Sequence, residues 1–401
     1  MNKTSEAVVI GGGIVGASIA HYLALKGVKN IVLLEKDALA SGATGLATAL
    51  VRMHYTNPWD SALALRSWEV FVNWSDLIGG SCGFNKTGFI FTVGHQETEK
   101  LQKNVDVMRQ LSGINTHVLS PAELKEMLPL WNFDDIGAAA YEPDSGYADP
   151  YSATTSLGGR ARELGVSILL GVQATAIRAE GDRVKGVETS TGFISTPIVV
   201  LAAGAWSTPL AQTVGLELPV TGMLLSAGIL ERPSGLEGSH LACIDAAQGI
   251  YFRPDTAKLT IAGLSSVVDR RESPKDLDPD SFTTEPPLEW TVRTGTRMAN
   301  RIPGMIDAGW QRAWSGVDGN TPDGHAILDK APGVDGLYLA VGMSGTGFKT
   351  APAIGMCMSE LITGGAAKMV DIGAFSLNRF SEGRLLVGQH EYNHYFAETV
   401  S

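Results

Sequence analysis

The chain has 401 residues, long enough for two domains, and its formal net charge is −11. That charge argues against a nucleic-acid surface, which needs clustered Lys and Arg to neutralise phosphates. Three cysteines, Cys82, Cys243 and Cys357, lie far apart with no CxxC spacing. Neither a disulfide framework nor a zinc or other metal site is expected, and a reducing cytoplasm fits best.

Residues 7–25 contain no Asp, Glu, Lys or Arg and approach the length of a membrane span or, after Lys3, of a signal peptide. Gly11, Gly12, Gly13 and Gly16 interrupt them and a second strand-like run follows, so a soluble unit with no transmembrane segment is expected. Residues 8–10 read as a short buried strand, 14–26 as a helix closed at Gly27, and 31–34 as a second strand ending at Glu35. Gly11-x-Gly13-x-x-Gly16 then falls on the first strand-to-helix turn. Gly11 permits the turn, Gly13 lets a pyrophosphate approach the backbone, and Gly16 lets the helix pack on the sheet. The free N–H groups of the helix start face the phosphates, and Glu35 stands where an acid hydrogen-bonds an adenosine ribose. The unit binds a dinucleotide but does not by itself separate NAD from FAD.

Small residues follow as far as Arg52, His54 and Tyr55, and Asn57-Pro58 opens a helix expected to reach about Leu77. Residues 87–94 read as a strand and 97–111 as a charged amphipathic helix. Ser120-Pro121-Ala122-Glu123 is a capping box with Pro at the first helical position. Asp149-Pro150 starts a helix closed by Gly165. A strand and a β-meander lead to a last strand at 198–203, which ends in Gly204-Ala205-Trp206 at the edge where α/β sheets place ligands. From about Leu216 to Trp314 the texture is β-rich, with loops full of Pro and Asp, and this reads as a second domain. Strand, loop and helix return at 337–365, with Pro352 read as the first helical residue.

Four stretches in this order resemble the D-amino-acid-oxidase-like flavoproteins: the glycine unit with Glu35, VVLAAGAWS from Val199, TPDGHAIL from Thr321, and GMSGTGFKTAPAIG from Gly342. Within them the chain is most similar to the sarcosine oxidase group, comprising the monomeric enzyme and the β subunits of its heteromeric relatives, with glycine oxidase and proline dehydrogenase relatives. The resemblance implies an α/β fold, with a discontinuous Rossmann-type FAD-binding domain (1–80, 145–215 and 316–375). It also implies an inserted β-rich α+β substrate domain (81–144 and 216–315) and a C-terminal tail (376–401).

FAD is implied to lie extended across the first domain, with its flavin under the second. Its contacts would be Gly11, Gly13, Ile14, Val15, Gly16, Glu35, Lys36, Ser41, Thr44, Val172, Ala203, Gly204, Trp206, Gly345, Thr346, Gly347, Phe348 and Lys349. The implied reaction is oxidation of an amine next to a carboxylate by hydride transfer to flavin N5. The imine product hydrolyses, and the electrons pass to oxygen or another acceptor. By the same resemblance Arg52 and Lys349 hold the substrate carboxylate, and Lys258 roughly matches a lysine that activates oxygen over the flavin, a strand-end surface lysine being the equal alternative. Tyr251, on the preceding strand with alternate side chains on one face, is a candidate to line the substrate pocket. Arg253 is read either as a pocket residue or as a surface ion pair. At ~4 Å and an effective dielectric of ~20 each unit charge contributes about 4 kcal/mol, so two cations can offset desolvation of a carboxylate.

Departures from the family pattern also count. No cysteine stands near Gly316, where monomeric sarcosine oxidases attach FAD, so non-covalent FAD is expected. Tyr147-Ala148-Asp149 lacks the histidine that carries a second flavin in heteromeric β subunits, and Ala49 replaces a second basic residue before Arg52. A flavoprotein 2-hydroxy-acid dehydrogenase, and an FAD subunit that works with a hetero-oligomer partner, remain as alternatives.

Overall fold

The computed structural model describes residues 3–236, 238, 240–265 and 277–392. A six-stranded sheet runs in the order Ile327–Lys330, Leu337–Val341, Val199–Leu201, Ala7–Ile10, Ile31–Glu35, Ser167–Leu170. Its pairs are parallel except the first, which is antiparallel. The short apolar runs are buried on both faces, as a covered parallel sheet requires. Ala7, Val9, Ile31, Leu33 and Val200 face a core shared with the helices Ile14–Leu25, Pro58–Val72, Pro150–Glu163 and Gly347–Gly364. Their neighbours Val8, Ile10, Val32, Leu34 and Val199 face the other way, onto Ile177, Val184, Val187 and Ile194 of a β-meander. The period of two along each strand thus feeds two separate cores.

An eight-stranded sheet forms the second layer system, and residues from two distant parts of the chain interleave in it. In the middle Phe89–Gly94 pairs parallel with Ala242–Asp245 and antiparallel with Ile136–Glu142. The long strand Gly309–Asn320 lies at one edge against Thr221–Glu231 and carries the chain back toward the first sheet.

The helix Gly347–Gly364 crosses Ile14–Leu25 closely, because a Cβ on Gly355 would sit 2.2 Å from Ser18 Oγ. This contact fixes the SGTGFK segment against the glycine-turn helix. The helix begins at Gly347, so Pro352 lies inside it rather than at its start. Burial of Phe348, Ala351, Ile354 and Met358 along one side outweighs the amide that Pro352 lacks.

One further expectation changes. The helix opened by Asn57-Pro58 stops at Val72, and a short turn of helix at Trp74–Leu77 follows. The described residues after the Gly347–Gly364 helix pack onto both sheets. Phe375 joins the first core, Leu377 the second, and Tyr392 packs among Phe89, Phe91 and Ile244 of the second sheet. Arg379, fully buried, is paired with Asp323 through Nε at 2.7 Å and Nη2 at 2.9 Å. Of the segments expected in the tail and the substrate domain, 393–401 and 266–276 lie outside the described residues.

Candidate active site

One cavity of about 760 Å³ runs from the glycine turn to the underside of the eight-stranded sheet. Its floor is the C-terminal edge of the six-stranded sheet, where open α/β sheets hold ligands. Gly11 has φ 114° and a Cβ there would strike Ala202 O at 2.3 Å, so the turn itself excludes a side chain. Gly16 is needed for packing instead: its Cβ would fall 1.9 Å from Gly11 O, and it does not line the cavity. Gly13 is different. A Cβ on it would approach only Thr44 Oγ1, at 3.1 Å, and would project into the cavity. Gly204 and Gly345 likewise line the cavity with nothing within 4 Å of a built Cβ. These bare positions make a cradle in which a ligand reaches the backbone.

Glu35 accepts the Gly12 amide at 2.7 Å and the Asp37 amide at 2.8 Å, which fixes its carboxylate at the end of the second strand. Thr44 Oγ1 accepts the Ile14 amide at 3.2 Å, so its loop is tied to the helix start. Lys36 lies 4.0 Å over the Trp206 ring and pairs with Asp280, which also accepts Trp206 Nε1 at 2.9 Å. Ile14, Val15, Ser41, Val172, Ala203, Thr346, Gly347 and Phe348 complete the expected set along the wall.

At the other end the short strand Leu50–Val51 pairs with Gly146–Tyr147 and packs against the Gly347–Gly364 helix, which brings Arg52 and Lys349 to one cavity. Arg52 is 5% exposed, and Nη1 donates to His54 O. Its guanidinium lies 4.5 Å from the Tyr55 ring and 5.7 Å from that of Phe89. Arg52 Nε is buried without a hydrogen-bond partner among the described residues, and no carboxylate there forms an ion pair with this side chain. Lys349, 6% exposed, donates to Gly345 O at 3.0 Å, in the loop just before its own helix. Ala49 and Ser344, both on the cavity wall, have φ of 55° and 49°, a conformation that costs non-glycine residues about 1–3 kcal/mol and gathers at functional sites.

The surrounding charges are arranged in buried pairs. His325 Nδ1 meets Asp60 Oδ2 at 2.7 Å. Burial would raise the Asp60 carboxyl, but His325, Asn57 and the Lys349 charge outweigh it and hold it below its ordinary value. Burial would lower the His325 pKa, but Asp60 beside it raises it. Glu142 accepts the Met53 amide and the Ser145 hydroxyl, and burial pushes its carboxyl up despite them and Arg52.

Lys258 does not belong to the site. It is half exposed on the turn between two strands of the second sheet, pairs with Glu231 at 2.5 Å, and is not among the residues lining the cavity. Register decides this: Ile250–Pro254 forms a hairpin with Leu259–Leu264, Pro254 facing Thr260, and that places residue 258 on its turn, beside Glu231 at the end of the neighbouring strand. Tyr251 does line the cavity, opposite Gly263, where any side chain would meet its ring. Arg253 is buried. It pairs with Asp255 and donates to Thr48 O at 2.6 Å, so it ties the second sheet to the loop that carries Arg52. Sequence reasoning missed Asp318, whose carboxylate accepts the amides of Gly319 and Gly345, and Asp280. Neither is marked by a local motif, since the bonds of Asp318 to Gly345 and of Asp280 to Lys36 and Trp206 span long sequence separations.

The profile of the FAD dependent oxidoreductase (DAO) family matches residues 6–361. The chain belongs to this family. FAD is therefore its cofactor, and the glycine cradle and the fixed Glu35 carboxylate suit the pyrophosphate and ribose of such a ligand. The crystal structure of L-proline dehydrogenase from P. horikoshii superposes with a TM-score of 0.87 at 29% identity, covering 96% of this chain and all of that one. Sarcosine dehydrogenase, mitochondrial, of Mus musculus is 29% identical over 94% of this chain and 42% of its own length. The chain thus spans about two fifths of that relative. Sarcosine oxidase subunit beta of Rhizobium meliloti is 28% identical over 95% of this chain and 89% of its own length.

Proposed function

We propose that this FAD-dependent oxidoreductase oxidises a small amine-bearing carboxylate, of the amino-acid or N-alkyl amino-acid class. Sarcosine, glycine and proline illustrate the class. The observation that carries the reading is the pair of buried cations, Arg52 and Lys349, on the wall of one cavity beside the uncharged Tyr55, Ile244, Tyr251 and Leu264. Arg52 offers a planar fork and Lys349 a point charge, and together they hold a carboxylate with little freedom. FAD, when bound, supplies the acceptor for a hydride from the carbon beside the substrate nitrogen. Among the described residues no imidazole lines the cavity, and the Asp318 carboxylate on its wall is taken up by the Gly319 and Gly345 amides, so the chain's part is to bind, orient and exclude water. The imine that leaves is hydrolysed in water. No cysteine or histidine lines the cavity among the described residues, which supports non-covalent FAD.

The names of the relatives support the same chemistry. That of the Rhizobium meliloti protein, a subunit beta, also supports a second feature, a partner subunit. Among the described residues no helix is long and apolar enough to cross a membrane, and a cytoplasmic location belongs to this proposal. The test is anaerobic bleaching of the bound flavin with N-methyl amino acids, glycine, proline, D-amino acids and 2-hydroxy acids. Bleaching by an amino or N-alkyl amino acid is expected. Bleaching by 2-hydroxy acids alone would replace this reading with the hydroxy-acid one. If amino acids bleach the flavin but oxygen does not restore it, the partner or another acceptor takes the electrons.

A further inference from the structure

The last described stretch of chain, His390 to Tyr392, lies against the segment that carries Arg52, far from it in sequence. Thr56 Oγ1 donates to Glu391 Oε1 at 2.7 Å, and the same oxygen accepts the Gly388 amide at 2.6 Å. His390 O accepts Asn104 Nδ2 at 2.9 Å, which anchors the stretch to the helix Thr98–Arg109. Tyr392 is 2% exposed, stacks on Phe91 at 5.1 Å, and its hydroxyl meets His54 Nε2 at 2.9 Å. The His54 ring completes a cluster with these two, its centroid 4.6 Å from that of Phe91 and 6.0 Å from that of Tyr392. Burial and the nearby Arg52 charge lower the His54 pKa to about 3, so the ring is neutral and holds one hydrogen-bonding role near neutral pH. The His54 carbonyl in turn accepts Arg52 Nη1. A continuous chain of contacts therefore runs from Tyr392 through the ring and backbone of His54 to the guanidinium.

We propose that Tyr392 is a positioning residue: through His54 it holds the Arg52 guanidinium at the orientation in which it receives the substrate carboxylate. This rests on the reading of Arg52 as a carboxylate anchor. Neither Tyr392 nor His54 lines the cavity, so their influence on a ligand passes through Arg52. Two consequences separate this from a plain packing role. Loss of the Tyr392 hydroxyl should weaken anions and leave neutral isosteres alone, and it should have no effect once Arg52 is gone.

The experiment measures binding of acetate and acetamide to the holoenzyme by perturbation of the flavin absorbance. It compares wild type, Tyr392→Phe, Arg52→Met and the double variant, with urea unfolding recorded in parallel. Tyr392→Phe is expected to raise the acetate Kd about three- to tenfold, with FAD affinity and the acetamide Kd unchanged. On the Arg52→Met background the same substitution should change acetate binding by less than twofold. Glu391→Ala, which frees Thr56 without touching His54, should weaken acetate in the same direction. Acetate binding unchanged in Tyr392→Phe would overturn the proposal. So would an equal loss from Tyr392→Phe with and without Arg52. If wild type itself binds acetate no better than acetamide, the carboxylate reading of Arg52 fails instead, and the two failures are told apart by that first measurement.

Discussion

Lys349 and Arg52 are both buried cations on the wall of one cavity, and a buried charge that loses its partner is costly. Lys349→Met keeps the length of the stem and removes the charge. It should weaken carboxylate ligands by roughly 2–4 kcal/mol while FAD stays bound. Arg52→Met should act alike, and the double variant should lose less than the sum, because both groups serve one anion. Titration of a carboxylate and its amide against each variant checks this. An equal loss for the amide, or a change in flavin reoxidation alone, would assign Lys349 to the flavin instead. Gly13 is the other decisive single residue. Its Cβ position is open except for Thr44 Oγ1, so Gly13→Val should leave the turn able to form but fill the approach to the backbone. The variant should purify with little flavin, seen as a low ratio of visible to ultraviolet absorbance. Full occupancy would mean that the cradle lies elsewhere.

Whole elements were read from the sequence with uneven success, and the unevenness has a physical pattern. The strand–glycine turn–helix–strand unit was legible because every part of it is local: an apolar run, a φ that only glycine readily supplies, and an acid at the end of the next strand. The Ser120 capping box was legible for the same reason, and both of its reciprocal bonds are present. Arg52 and Lys349 came from motif resemblance, and the packing of the Gly347–Gly364 helix against Leu50–Val51 is what brings them together. Lys258 went astray because a hairpin register, which no single strand reveals, decides which end of a strand faces the flavin side. Arg253, read as pocket or surface, became a buried tie to Thr48, and Asp318 and Asp280 were invisible, since their partners are distant in sequence. Pro352 misled through its usual preference for a helix start, which burial of the neighbouring side chains overrode.

At the scale of the molecule, buried histidines set the response to acid. His21 and His240 are lowered to about 4 and His54 to about 3, each chiefly by burial. Their unfolded values lie near 6.5, so below that pH the unfolded chain binds protons that the folded chain refuses. Their contribution is intact above about pH 6.5 and declines as the pH falls toward 4. His325 has the opposite sign: its raised pKa adds stability that is full below 6.5 and lost as the pH rises through its folded value. Three groups outweigh one, so urea midpoints should fall steeply between pH 7 and pH 5. Neither ring nitrogen of His21 has a partner among the described residues, and His21→Leu should flatten that fall. An acid limb of unchanged steepness in His21→Leu would remove His21 from the account.

The order of strands in the six-stranded sheet also sets a timetable. Ala7–Ile10 lies beside Val199–Leu201, which in turn lies beside Leu337–Val341. Its other neighbour, Ile31–Glu35, leaves the ribosome soon after it, but Val199–Leu201 emerges long after the glycine turn, and the helix Gly347–Gly364 later still. Throughout that interval Val8, Val9 and Ile10 present one bare edge and their apolar faces to the cell. Synthesis at about 5–20 residues per second makes the wait tens of seconds. Cells making this protein should thus keep it on chaperones until nearly the whole chain has emerged. Fragments released before residue 337 should collect as aggregates rather than as flavin-binding half-molecules.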